Sequence, residues 1–143
     1  MAKWISAALL FFMVFGCGSV DEHAVTFMDG TYRGAFFDRG VMEINVEFEL
    51  KSDTLSDIRF RYLKYKGVDY LDDESEESVV VREQYRQLAD YLRGENLSKT
   101  LEALHYPANI ITKESDGLTV ATIRSGKLIS ALRDALNRGV YRK

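Results

Sequence analysis

Within Val41–Leu50, apolar and polar residues alternate without a break from Met42 onward. Met42, Ile44, Val46, Phe48 and Leu50 share one side; Glu43, Asn45, Glu47 and Glu49 share the other. A period of two with one apolar set suits a strand buried on one face and wet on the other, as in an antiparallel sheet. Such a strand needs partners, and the flanking residues supply them. Thr31–Phe37 is strand-like and aromatic-rich, and Asp38-Arg39-Gly40 is a turn between the two. After Leu50, the polar stretch Lys51–Ser56 leads into a third strand, Asp57–Tyr65. Alternation there predicts Ile58, Phe60 and Tyr62 inward with Arg59 and Arg61 outward. Acids on one outer face beside arginines on the next predict cross-strand charge pairs, each worth about 0.2–1 kcal/mol.

The second half of the chain changes period. Val81, Tyr85, Leu88, Ala89 and Leu92 are spaced by threes and fours, which predicts a helix over Val79–Arg93 with Gly94 as its stop. Leu97, Leu101 and Leu104 predict a short second helix within Asn96–His105, ended by Tyr106-Pro107. Ala108–Thr112 reads as a brief extended piece. Ser125–Arg138 carries Leu128, Ala131, Leu132, Ala135 and Leu136 at helical spacing, with Ser125 as cap and Gly139 as stop. Strands first and helices afterwards define the α+β class: an antiparallel β-meander packed against C-terminal helices. Between the halves, Asp69–Ser78 holds six acids, whose spacing does not match an EF-hand; a solvated loop placing negative charge at the following helix start fits better.

Composition narrows the function. With 143 residues, 46% hydrophobic and 29% charged, the chain suits a single globular domain. A net charge of -3 gives no electrostatic footprint for nucleic acid. The chain has 1 Cys, which rules out an internal disulfide, and its 2 His, at positions 23 and 105, lie too far apart in sequence for a local metal motif, so no metal site is expected. No Ser/His/Asp or Cys/His arrangement points to nucleophilic catalysis.

The lone cysteine has a specific setting. Trp4–Phe15 is an almost unbroken apolar run, too short to span a bilayer stably, since spanning takes roughly 20 residues. It fits the hydrophobic region of a signal peptide. It ends in Val14-Phe15-Gly16-Cys17, which resembles a bacterial lipobox, with Phe15 in place of the usual smaller residue. That resemblance implies a signal peptide over residues 1–16, lipid on Cys17 as the mature N-terminus, a tether over residues 17–28 and a domain over residues 29–143. Losing residues 1–16 removes Lys3 and leaves 18 basic against 22 acidic residues. The implied location is the bacterial cell envelope, lipid-anchored on its extracytoplasmic or periplasmic face, because two acyl chains hold a protein on a membrane where one does not.

The chemistry-bearing stretch is Asp116-Gly117-Leu118-Thr119-Val120-Ala121-Thr122, placed before the last predicted helix. An acid, a Gly turn and two hydroxyls leading into a helix start form either a cap or an anion site. On the second reading, a phosphate beside Thr122 meets the amides of Ile123, Arg124 and Ser125, with Arg124 adding a cation.

This segment resembles the flavinylation motif of the FMN-binding domain family, Asp-Gly-x-(Ser/Thr)-Gly-Ala-Thr. Asp116, Gly117, Thr119, Ala121 and Thr122 match it, and Val120 stands where the family has Gly. The resemblance covers most of the chain after the tether: Asp29–Gly34 looks like the family's opening strand, Val41–Leu50 and Ile58–Tyr62 like its next two, and Ser125–Leu136 like its closing helix. It implies FMN as cofactor, joined through a phosphoester to Thr122 by a flavin transferase that recognises Asp116. It implies electron transfer to a redox partner protein, with the membrane reached through the lipid anchor, rather than an enzyme with its own substrate. Tyr65 or Tyr70 either stacks on the flavin ring or packs at the sheet edge with its hydroxyl in water. The alternatives are a flavin-free binding or structural lipoprotein of the envelope on the same fold, and an extracytoplasmic flavin reductase.

Overall fold

The computed structural model describes residues 26–110 and 118–143, with side chains described from Ile123 onward in the second stretch. Four antiparallel strands form one sheet in sequence order: β1 (Gly30–Asp38), β2 (Met42–Lys51), β3 (Thr54–Tyr65) and the two-residue β4 (Val68–Asp69). Three helices follow: α1 (Glu76–Leu92), α2 (Leu97–Ala103) and α3 (Leu118–Arg138). The α+β class and the meander are therefore as the alternation predicts. Hairpins β2–β3 and β3–β4 each turn on two residues at positive φ, Ser52 with Asp53 and Lys66 with Gly67. Two consecutive left-handed residues are what a turn matching the strand twist demands.

The alternating side of β2 is buried to the last residue: Met42, Ile44, Val46, Phe48 and Leu50 all join one core. Helix α1 adds Val81, Tyr85, Leu88 and Leu92, and α3 adds Leu128, Leu132 and Ala135, with Leu136 packed at the margin. Full burial of each large apolar side chain contributes about 1.5–3 kcal/mol. Tyr32 and Phe48 stack across β1 and β2 with ring centroids 5.4 Å apart.

Helix α3 lies hard against β1. A Cβ on Gly34 would sit 2.2 Å from the Ala131 carbonyl oxygen and 2.3 Å from the Ala135 amide nitrogen. Only glycine lets these two backbones approach this closely. The chain then turns at Gly139 and follows the free edge of β1, where the Tyr141 amide donates to the Thr31 carbonyl at 2.7 Å.

Four local expectations change. Along β3 the partner of Asn45 is Tyr62 and the partner of Val46 is Phe60, so Arg61 is an extra residue in a β-bulge. The bulge resets the alternation: Tyr62, expected inside, is exposed, and Leu63 is buried in its place. Helix α1 starts three residues earlier than its apolar spacing predicts, because Ser75 caps it by accepting from the Ser78 amide. Pro107–Asn109 forms a 3-10 turn where the Ala108–Thr112 piece was expected to be extended; its last two residues lie outside the described set. Helix α3 begins at Leu118 rather than Ser125. Ser125 is buried mid-helix, and its hydroxyl donates to the Leu104 carbonyl instead of capping anything. Among the described residues, no helix is long and apolar enough to cross a membrane.

Candidate functional site

The early start of α3 relocates the expected anion site. Ile123, Arg124 and Ser125 lie in the second turn of α3, where amides bond to carbonyls four residues back. They are not the unpaired amides of a helix start, so they do not form the anion site expected there. The backbone of Thr119, Ala121 and Thr122 belongs to the first turns of α3. Asp116 and Gly117 lie outside the described residues, as do Cys17 and the whole apolar run before it.

What the fold does bring together is a cleft directly after Thr122 in the chain. It has a volume of about 240 Å3 and lies between α1, α3 and the β2–β3 end of the sheet. Tyr65, Tyr70 and Tyr85 line it with Ile123, Arg124 and Lys127. Tyr70, Tyr85 and Arg124 are each held by a local contact. The Arg82 guanidinium donates to the carbonyls of Tyr70 and Leu71 at 3.2 and 3.0 Å, which fixes the acidic segment and Tyr70 with it. The Tyr70 amide donates to the Leu63 carbonyl at 2.8 Å. Arg124 donates to the Gln84 side chain, tying α3 to α1. Tyr85 meets Phe60 edge-on at 5.7 Å. The acid Glu77 also lines the cleft, so its charge is mixed rather than purely cationic.

Tyr85 carries the most informative atom. The residue is 1% exposed, and its hydroxyl is buried with no hydrogen-bond partner among the described residues. A buried polar atom without a partner costs about 1–3 kcal/mol. Burial pushes the Tyr85 phenol far up, against the opposing pull of Arg124. Burial raises Tyr70 as well, helped by the charge of Glu77. Both phenols therefore remain protonated at neutral pH and are available as donors.

The sequence expectation paired Tyr65 or Tyr70 with a ring and Arg124 with a phosphate, and all three line this one cleft. Tyr85 and Lys127 were missed. Tyr85 sits within the apolar stripe of α1, where it reads as core; the signal was that a buried tyrosine must still place its hydroxyl. The residues present fit FMN in one respect: Tyr85 brings a phenol with no hydrogen-bond partner among the described residues, and the aromatic walls would suit a planar heterocycle rich in acceptors. The volume lies below the roughly 300–1,000 Å3 of sites that enclose a whole small ligand, so the cleft fits part of a cofactor.

No protein-family model matches the chain, and no curated protein matches it.

Proposed function

We propose that this chain is a membrane-anchored, FMN-binding electron-transfer lipoprotein, with FMN held covalently at Thr122. The observation that carries the reading is the tyrosine-lined cleft beginning one residue after Thr122, whose lining includes Tyr85, a residue with a buried hydroxyl that has no hydrogen-bond partner among the described residues. The flavinylation-type segment Asp116–Thr122 points to the same place independently. When bound, FMN supplies the redox chemistry; the protein supplies attachment and electrostatics.

The residues divide that work. Asp116 serves recognition by the flavin transferase, and Thr122 supplies the hydroxyl that becomes the phosphoester. Gly117, Thr119 and Ala121 complete the recognised segment. Arg124 and Lys127 offset the phosphate charge from the same helix, in place of the amides first expected to do so. When FMN is bound, Tyr65 and Tyr70 would flank the ring and Tyr85 would supply a hydrogen-bond donor on that side. The tether and the lipid on Cys17 keep the domain at the membrane, within reach of a redox partner protein.

The test is colour. Chain produced together with a flavin transferase is expected to stay yellow through acid precipitation, because a phosphoester survives unfolding and a merely bound flavin does not. A colourless precipitate from transferase-positive cells would favour the flavin-free envelope lipoprotein. Tyr85→Phe is expected to keep the covalent flavin but shift its absorption band and potential. It is also expected to leave the flavin-free protein as stable as before or more so, because the lost hydroxyl has no partner there. An unchanged flavin spectrum would remove Tyr85 from the site.

A further inference from the structure

A second and larger cleft lies on the other side of the sheet. It has a volume of about 500 Å3, within the range of small-molecule sites. Its lining includes four arginines, Arg33, Arg61, Arg138 and Arg142, and, among the described residues, no acid. Such a concentration is unexpected in a chain whose net charge is -3.

The arginines are arranged in two ways. Arg33 and Arg138 are each held from behind through Nε, Arg33 by Glu47 and Arg138 by Asp134 at 2.9 Å. The Arg33 guanidinium also lies over the Tyr141 ring, 3.7 Å from its centroid. Binding through Nε leaves the outer edge of each guanidinium fork for a ligand. Neither carboxylate is exclusive: Glu47 also pairs with Arg59, and Asp134 also accepts from the Ala35 amide at 2.8 Å. Arg61 and Arg142 are exposed, and among the described residues no carboxylate is paired with either. Arg61 reaches this cleft as the extra residue of the β-bulge, the kind of irregularity that re-aims a side chain. Arg142 reaches it because the chain after Gly139 follows the edge of β1.

One neutral atom completes the pattern. Asn45 stands opposite the bulge and lines the cleft, and its Oδ1 is buried with no hydrogen-bond partner among the described residues. An acceptor among arginines calls for a ligand that brings a donor as well as negative charge. Planar forks match phosphate oxygens two at a time.

We infer that this cleft binds a phosphate ester carrying a free hydroxyl: the phosphate sits among Arg33, Arg61, Arg138 and Arg142, and the hydroxyl donates to Asn45. The ester is either a soluble metabolite-like phosphate or the headgroup of a phospholipid. This site is separate from the tyrosine cleft and does not rest on the flavin reading.

The experiment uses the full chain in non-ionic detergent micelles and follows the Asn45 side-chain amide and the arginine Nε signals by NMR. The probes are inorganic phosphate, glycerol 3-phosphate, and phosphatidylglycerol doped into the micelle. Saturable shifts with glycerol 3-phosphate at about 1 mM or below are expected. Response to both esters identifies a site open to soluble ligand, and response to the micellar headgroup alone identifies a lipid site; both support the proposal. Arg61→Gln and Arg142→Gln lie at exposed positions, so they are expected to fold normally, and each is expected to weaken binding about tenfold. Asn45→Ala is expected to erase the preference for the ester over inorganic phosphate while leaving inorganic phosphate binding in place. Absence of saturable shifts with every probe up to about 10 mM, or binding unchanged in Arg61→Gln/Arg142→Gln, overturns the proposal. Equal affinity for phosphate and ester in the unaltered protein overturns the role of Asn45.

Discussion

Gly34 shows how much one missing atom decides. Its hydrogen stands where any side chain would meet the backbone of α3, and backbone cannot step aside as a flexible side chain can. Gly34→Ala is expected to push α3 off β1 and cost about 1–3 kcal/mol or more, read as a lower midpoint in chemical denaturation. An unchanged midpoint would mean that α3 and β1 are not in contact as described. Gly34 also sits within the segment that resembles the family's opening strand, and packing alone accounts for a glycine there. Tyr85 is the opposite case, since it carries an atom too many for a core. A side chain placed only for packing would be better served by Phe, which lacks the unpaired hydroxyl.

Among elements, β2 is the part of the fold most openly written in the sequence, because a half-buried central strand imposes period two on every residue. Its outer face is organised by Glu47, which is 8% exposed and takes hydrogen bonds from both Arg33 on β1 and Arg59 on β3. Burial alone would push the Glu47 carboxyl up; the two arginines outweigh it and hold the carboxyl below its ordinary value. A carboxylate lowered in the folded state stabilises at pH above its unfolded value and loses that contribution as pH falls through the folded one. Glu47→Gln is therefore expected to destabilise at neutral pH, by about 1–3 kcal/mol, with the gap to the parent protein closing below about pH 4. A gap that stays constant from pH 7 to about pH 3 would contradict the charge role. The charge pair between these strands was readable from alternation, but the bulge at Arg61 was not, because one inserted residue leaves local composition untouched. The start of α3 was hidden for a related reason. Thr119, Thr122 and Ser125 resemble caps when read singly, yet no Gly or Pro interrupts Leu118–Ser125. Contacts distant in sequence, Arg124 to Gln84 and Ser125 to Leu104, accompany the longer helix.

For the molecule as a whole, the sheet separates two concave surfaces of different chemistry. The helix side offers tyrosines and two cations beside Thr122; the other side offers arginines around Asn45. The first was partly legible, since Tyr65, Tyr70 and Arg124 were singled out from sequence. The second was not, because it is assembled from β1, β2, a bulge on β3 and the residues after α3, which no local window contains. A lipid on Cys17 would hold both surfaces near a membrane, and Cys17→Ala is expected to move the chain from the detergent phase to the aqueous phase in phase partitioning. Equal partitioning of both forms would remove the anchor. Peptide mapping by mass spectrometry tests the covalent flavin most directly, on chain produced with an active flavin transferase. The peptide containing Thr122 is expected to be heavier by one FMN less one water. Thr122→Ala is expected to abolish that addition, and Thr119→Ala only to reduce it. Flavin found on Thr119, or a peptide of unmodified mass despite an active transferase, would contradict attachment at Thr122.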